Sequence, residues 1–147
     1  MSVDILSKKE FENLSHFRYQ LRRFLRFSEE AVHHHGVTHL QYLLLLHIKG
    51  FPGREWATIG ELAELLQSHH HGVVSLVSRC QKHGLVSRVK GKVDRREVEV
   101  HLTAEGEKVL NILACLHRDE LLKLQGIFQV PGAQELDSPL VIKHKKP

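Results

Sequence analysis

The stretch from Gly84 to Gly106, GLVSRVKGKVDRREVEVHLTAEG, restricts the fold of this chain more than any other. Val98, Val100 and Leu102 alternate with Glu97, Glu99 and His101, the period-two pattern of a strand with one face buried. Leu85 to Lys90 reads as a second strand with less regular alternation, and a basic loop joins the two. Thr103 then caps a new helix. The positive residues from Arg79 to Arg96 are Arg79, Lys82, Arg88, Lys90, Lys92, Arg95 and Arg96, and Asp94 is the only acid among them. A run of charge is usually a solvated face. Here it coincides with a hairpin loop, which points to phosphate contact.

The residues before the hairpin supply helices. From Lys8 to Val32, Leu14, Phe17, Leu21, Phe24, Leu25, Ala31 and Val32 recur at helical spacing, with Arg18, Arg22, Arg23 and Arg26 off that face. Such a stripe at a chain end needs a cover, and a partner subunit is one. Thr38-x-x-Gln41 and Thr58-x-x-Glu61 are capping boxes. The first opens a helix apolar nearly all round, closed by Gly50. The second opens a short helix with Ile59, Leu62, Ala63, Leu65 and Leu66 inward. A tight turn at Gln67-Ser68 leads to a third helix, about His69 to His83, with Val73, Leu76, Val77 and Cys80 on its apolar side and Gly84 as its stop. The last helix carries Val109, Leu110, Leu113, Leu116, Leu121 and Leu124. Gly126 and Pro131 end it, and the tail beyond is read as irregular or only loosely helical.

Two short helices, a brief turn and a basic hairpin make a winged helix-turn-helix, so the predicted class is mainly α with a small β-hairpin, flanked by dimerisation helices. One domain fills the chain: residues 1–36 form an N-terminal dimerisation helix, 37–106 the winged helix-turn-helix, and 107–147 the closing helix and tail. Length and the 41% hydrophobic content fit one packed core. The net charge of +4 and a pI near 9.2 fit a polyanion partner, though composition alone does not choose among nucleic acid, an acidic protein and a membrane surface. Cys80 and Cys115 have no metal-site spacing, and the N-terminus lacks a signal-peptide layout, so a cytoplasmic setting is expected. No apolar run reaches membrane-span length, and no membrane partner is expected.

The order of elements and these residues resemble the MarR family of bacterial transcriptional regulators. The resemblance is carried by LQYLLLLHI, IGELAELLQ and HHHGVVSLVSRC, and by the hairpin pattern Gly84-Leu85-Val86, Arg88, Asp94, Arg96, Leu102-Thr103 and Gly106. It implies a homodimer whose first and last helices interlock, a recognition helix in the major groove, a wing in the adjacent minor groove, and a ligand site near the junction of the two regions. It also implies that Asp94 braces Arg96; a plain turn-forming role competes with this. Ser78-Arg79-Cys80 stands where the family often has Asp-Arg-Leu, which would free Arg79 from a structural salt bridge. The peroxide-sensing branch uses an N-terminal cysteine that this chain lacks.

A helix entering the major groove needs a short, polar outer face. His70, His71, Ser75 and Ser78 fit, with Ser68 near the helix N-terminus, whose free amides attract phosphate. For each histidine, a capping or solvated role competes evenly with base contact. Gly72 lets the backbone approach closely. In the wing, Arg95 and Arg96 suit a narrow minor groove, and Arg79, Lys82, Lys90 and Lys92 are phosphate candidates, with Arg88 counted in the same basic set. His33, His34 and His35, with His39, offer zinc ligands, but consecutive helical histidines diverge, so a solvated helix end is the blander reading. His117 on the apolar stripe reads as packing, as does Cys80. No nucleotide glycine loop or nucleophile motif points to an enzyme, and no cofactor is implied. The expected function is a ligand-responsive, homodimeric repressor bound to a pseudo-palindromic operator in duplex DNA, with a small-molecule effector. The alternatives are a zinc-responsive regulator and a winged-helix module that binds protein and not DNA.

Overall fold

The computed structural model describes residues 3–124. The elements run α1 (Lys8–His34), α2 (His39–Lys49), β1 (Trp56–Thr58), α3 (Ile59–Leu66), α4 (His70–Lys82), β2 (Val86–Lys90), β3 (Val98–Leu102) and α5 (Ala104–Lys123). This is the mainly helical class that periodicity predicts, with one addition. The hairpin is part of a three-stranded antiparallel sheet in the order β1-β3-β2, so β3 and not β2 is its centre. The sequence reading omits β1 because three residues are too few to show alternation. The strand exists because Trp56, Ala57 and Thr58 pair with His101, Val100 and Glu99. The stop at Gly126 and Pro131 and the irregular tail lie outside the described residues.

The described residues divide into two compact units, one of 3–27 with 119–124, the other of 28–118. In the first, α1 exposes Phe11, Tyr19 and Leu25, and the end of α5 exposes Leu121 and Leu122. The second holds the core and every element of the helix-turn-helix.

Both predicted capping boxes form. The Thr38 and Thr58 hydroxyls each accept from the backbone N–H of the third helical residue, and Gln41 and Glu61 return the bond to the cap's own N–H. The two helices they start bury Leu44, Leu45, Ile48, Ile59 and Leu62. Helix α4 buries Val73, Leu76, Val77 and Cys80, the i, i+3, i+4, i+7 set of a single face. Ala57, Val86 and Val100 close the core from the sheet.

Two turns fix how α4 is presented. Before it, Gln67 takes the left-handed conformation at φ 51°, an arrangement a non-glycine residue adopts at a cost. Its amide donates to Glu64 O at 2.7 Å, which holds the turn. After it, Gly84 sits at φ 75°, and Leu85 N–H donates to Cys80 O at 2.9 Å. The Thr103 hydroxyl donates to Gly84 O at 2.6 Å and accepts from Gly106 N–H at 3.0 Å, so the turn after α4 is tied to the start of α5. A Cβ at Gly106 would collide with the carbonyl of Leu85, which explains the glycine.

Candidate nucleic-acid interface

The outer side of α4 follows from its inner one. With Val73, Leu76, Val77 and Cys80 buried, the intervening positions His70, His71, Val74, Ser75, Ser78, Arg79 and Lys82 are exposed, as is Ser68 just before the helix. His70 and His71 stand edge to face with ring centres 6.4 Å apart. His69 is the N-cap residue but its side chain accepts no cap bond from the first amides of α4. No acid lies in that first turn. A Cβ built on Gly72 would meet nothing within 4 Å. The fold therefore does not require glycine there.

Arg79 donates to Ser75 Oγ at 3.3 Å, one helical turn back on the same face. Ser78 is differently placed. Its hydroxyl donates to Val74 O at 3.0 Å, and the oxygen accepts from Arg88 Nη2 at 2.8 Å. Arg88 also donates to Val74 O at 3.1 Å and to Gln81 Oε1 at 2.5 Å. Arg88 and Ser78, both expected at a nucleic-acid surface, are thus bonded to each other and bridge β2 to α4.

The wing closes on two backbone bonds, Gly91 N–H to Glu97 O at 3.0 Å and Glu97 N–H to Asp94 O at 3.1 Å. A Cβ at Gly91 would collide with Asp94 O. Lys90, Lys92, Val93, Arg95 and Arg96 are exposed around this loop. Asp94 Oδ1 accepts from both Arg96 N–H and Arg96 Nε, at 3.0 and 3.1 Å, while Oδ2 accepts from Nη2 at 3.0 Å. These bonds, the side-chain pair first, hold the Asp94 carboxyl below the usual carboxylate range and raise Arg96. The Arg96 side chain is nevertheless 91% exposed against 38% for Asp94. The carboxylate lies under the guanidinium and leaves its outer side to solvent.

Behind the helix pair is a brace that sequence reading did not single out. The Arg54 guanidinium lies over the rings of Trp56, at 3.8 Å, and Phe51, at 4.2 Å, and forms an ion pair with Glu61. Burial works against ionisation of Glu61, but its bonds from Thr58 and Arg54 outweigh that and lower its pKa. One carboxylate therefore caps α3 and anchors the loop before β1. No local pattern announces Arg54, because its partners are set by the pairing of β1.

The remaining candidates are apart from this surface. Among the described residues no three His, Cys, Asp or Glu side chains come together as metal ligands. His33 and His34 have ring centres 6.5 Å apart, His35 Nδ1 bonds Ala31 O at 2.9 Å, and His39 Nδ1 pairs with Ser28 Oγ at 3.3 Å. His117 is buried, its Nδ1 donating to Leu113 O at 2.7 Å. Burial pushes the Cys80 thiol up to about 11 against the opposing charge of Arg79, which makes it poorly reactive. No helix among the described residues is long and apolar enough to cross a membrane.

Known proteins share the fold that carries this surface. Residues 35–97 match the model of the MarR family. An uncharacterised helix-turn-helix transcriptional regulator of Bacillus subtilis, YsmB, is 39% identical over 66 residues; the match covers 41% of this chain and 45% of that protein. The chain thus spans under half the length of that relative. Among solved structures, AbsC of Streptomyces coelicolor, a MarR family transcriptional regulator, superposes with a TM-score of 0.74 at 20% identity, covering 97% of each chain. A MarR family protein of Bacillus stearothermophilus gives 0.70 at 19% identity, covering 96% of this chain and 92% of its own. A Staphylococcus aureus MepR mutant bound to an oligodeoxyribonucleotide gives 0.61 at 17% identity, covering 87% and 92%. At these identities the structural likeness establishes the fold alone.

Proposed function

We propose that this chain, whose residues 35–97 match the model of the MarR family, is a transcriptional regulator of that family that binds duplex DNA as a homodimer and represses transcription until a small-molecule effector releases it. The family is one of regulators and not of enzymes. The observation that carries the reading is the wing. Arg96 is bonded to Asp94 yet exposed over nine-tenths of its side chain. A guanidinium so oriented is prepared for the negative potential of a narrow minor groove.

The exposed face of α4 supports major-groove entry by His70, His71 and Ser75, with Ser68 and the first amides of the helix next to phosphate. Arg79, Lys82, Lys90, Lys92 and Arg95 supply sequence-independent attraction. The oligodeoxyribonucleotide on the MepR structure is consistent with this use of the fold. Dimerisation is supported by the large apolar side chains left exposed on α1 and α5, Phe11, Tyr19, Leu25, Ile112, Leu116, Leu121 and Leu122. Residues 1–36 and 107–147 would supply that interface, and 37–106 the DNA-binding part. Two such parts related by a twofold axis would read a pseudo-palindrome with half-sites one helical turn apart. Repression, an effector near the junction of the two parts and a cytoplasmic setting rest on the family resemblance.

Selection of fragments from a random duplex pool by the purified protein tests the reading. Enrichment of an inverted repeat is the expected outcome. Recovery of no sequence above background, even in dilute salt, would refute DNA binding.

A further inference from the structure

We propose that Arg88 is a positioning residue of the DNA-binding surface: it fixes the wing to the recognition helix and thereby sets specificity, and it does not serve as a phosphate contact. The inference rests on the reading of the chain as a DNA-binding regulator.

Position 88 lies opposite Val100 in the β2–β3 ladder, with Val86 opposite Leu102 and Lys90 opposite Val98. Side chains on one strand alternate in face, so Arg88 shares the core side of the sheet with the fully buried Val100 and with Val86. A cation placed there either crosses towards α4 or is stranded. It crosses. Its guanidinium reaches Val74 O, Ser78 Oγ and Gln81 Oε1, at 3.1, 2.8 and 2.5 Å. These residues are at i, i+4 and i+7 of α4, one stripe along the helix. Three donors of a rigid fork therefore run along the flank of the recognition helix from a single point at the base of the wing.

The partners of Arg88 are uncharged, so the bracket leaves its positive charge uncompensated by them. What it supplies is geometry. A helix in one groove and a wing in the next engage together only if their separation and tilt suit the duplex. Loose coupling costs little in unspecific binding, which depends on summed charge. It costs much in specific binding, which needs both contacts at once. Lysine keeps the charge but cannot span three acceptors from one planar group. Charge and positioning thus make opposite predictions for Arg88→Lys.

The test compares the duplex selected by the wild-type protein with a scrambled duplex of the same length and composition, over a series of salt concentrations. Arg88→Lys, which keeps the charge, is expected to weaken binding of the selected duplex by roughly tenfold, the scale of lost hydrogen bonds to a charged donor, and to leave the scrambled duplex nearly unaffected, while Arg88→Ala should weaken the selected duplex at least as much and the scrambled duplex only by the loss of one charge. The salt dependence of Arg88→Lys should equal that of the wild type, whereas Lys92→Ala, at a phosphate candidate, should make it shallower by about one counterion. Gln81→Ala, an exposed change outside the proposed DNA contacts, should reproduce part of the loss, and combining it with Arg88→Ala should add little. This variant also keeps the test decisive if Arg88→Ala does not fold. Wild-type affinity in Arg88→Lys, strict additivity of the pair, or equal losses on both duplexes with a shallower salt dependence would each overturn the proposal. A wild-type protein that selects no duplex would instead remove the regulator reading itself, and the wild-type measurement alone shows which has failed.

Discussion

The imidazole of His117 and the hydroxyl of Ser28 meet at 2.6 Å across 89 positions of sequence. Ser28 is 2% exposed and His117 5%. The same hydroxyl pairs with His39 Nδ1 at 3.3 Å, and the Tyr42 ring stacks on His117 with centres 4.5 Å apart. One serine on α1 therefore links α5 to α2 inside the unit that carries the helix-turn-helix.

Ser28→Ala removes the hydroxyl from between the buried His117 and the partly buried His39. The expected cost is about 1–3 kcal/mol of folding stability. Urea unfolding followed by circular dichroism reads it as a lower midpoint at unchanged slope. A variant that unfolds with the wild type would show that the bridge contributes nothing.

Asp94→Ala separates two effects of opposite sign. Removing a negative charge beside DNA phosphates should strengthen binding if charge alone governs. Releasing Arg96 from its three bonds should weaken it. We expect weakening by roughly tenfold, because an unheld arginine must be ordered on binding. Fluorescence anisotropy with the selected duplex measures it, and tighter binding would show that Asp94 does not position the wing.

Gly72→Ala should move stability and affinity in opposite directions. Alanine gains at most about 0.5–1 kcal/mol over glycine in the first turn of α4, the value for a helix interior, and the added Cβ meets open space in the fold. Against a base edge or phosphate the same methyl intrudes. Thermal melting should show a more stable protein while DNA affinity falls. Unchanged affinity would place the backbone at Gly72 away from DNA.

Glu61→Gln isolates the Arg54 ion pair, since glutamine caps equally well in the matching box at Gln41. The folded pKa of Glu61 is lowered. Its contribution is therefore complete above the ordinary carboxylate pKa and is lost as pH falls through the lowered folded value. The variant should lose up to about 1 kcal/mol at neutral pH and show a flatter decline of stability on acidification. Parallel stability–pH curves for the two proteins would rule this out.

Much of this architecture is readable from the chain before folding. Thr38, Gln41, Thr58 and Glu61 announce two helix starts, because a capping box is completed within four residues. Val73, Leu76, Val77 and Cys80 announce the inner face of α4, and with it the exposed outer one. Gly84, Thr103 and Gly106 mark the joints around the hairpin. Each signal is short in sequence because the physics behind it, a helical turn or a strand pleat, is short in space.

What only the tertiary structure decides is which polar groups spend their bonding capacity on one another. Arg88 and Ser78 look like free DNA-facing groups in the sequence, yet they are bonded together because the sheet directs position 88 at α4. Trp56 to Thr58 becomes a strand only because β3 is beside it, and Arg54 finds its aromatic rings only once that strand is in place. Ser28 and His117 carry no mark of each other. Periodicity and caps are local properties that a dozen residues can encode. A hydrogen bond between distant residues depends on the packing of every element that brings them within 3 Å, and no stretch of sequence contains that distance.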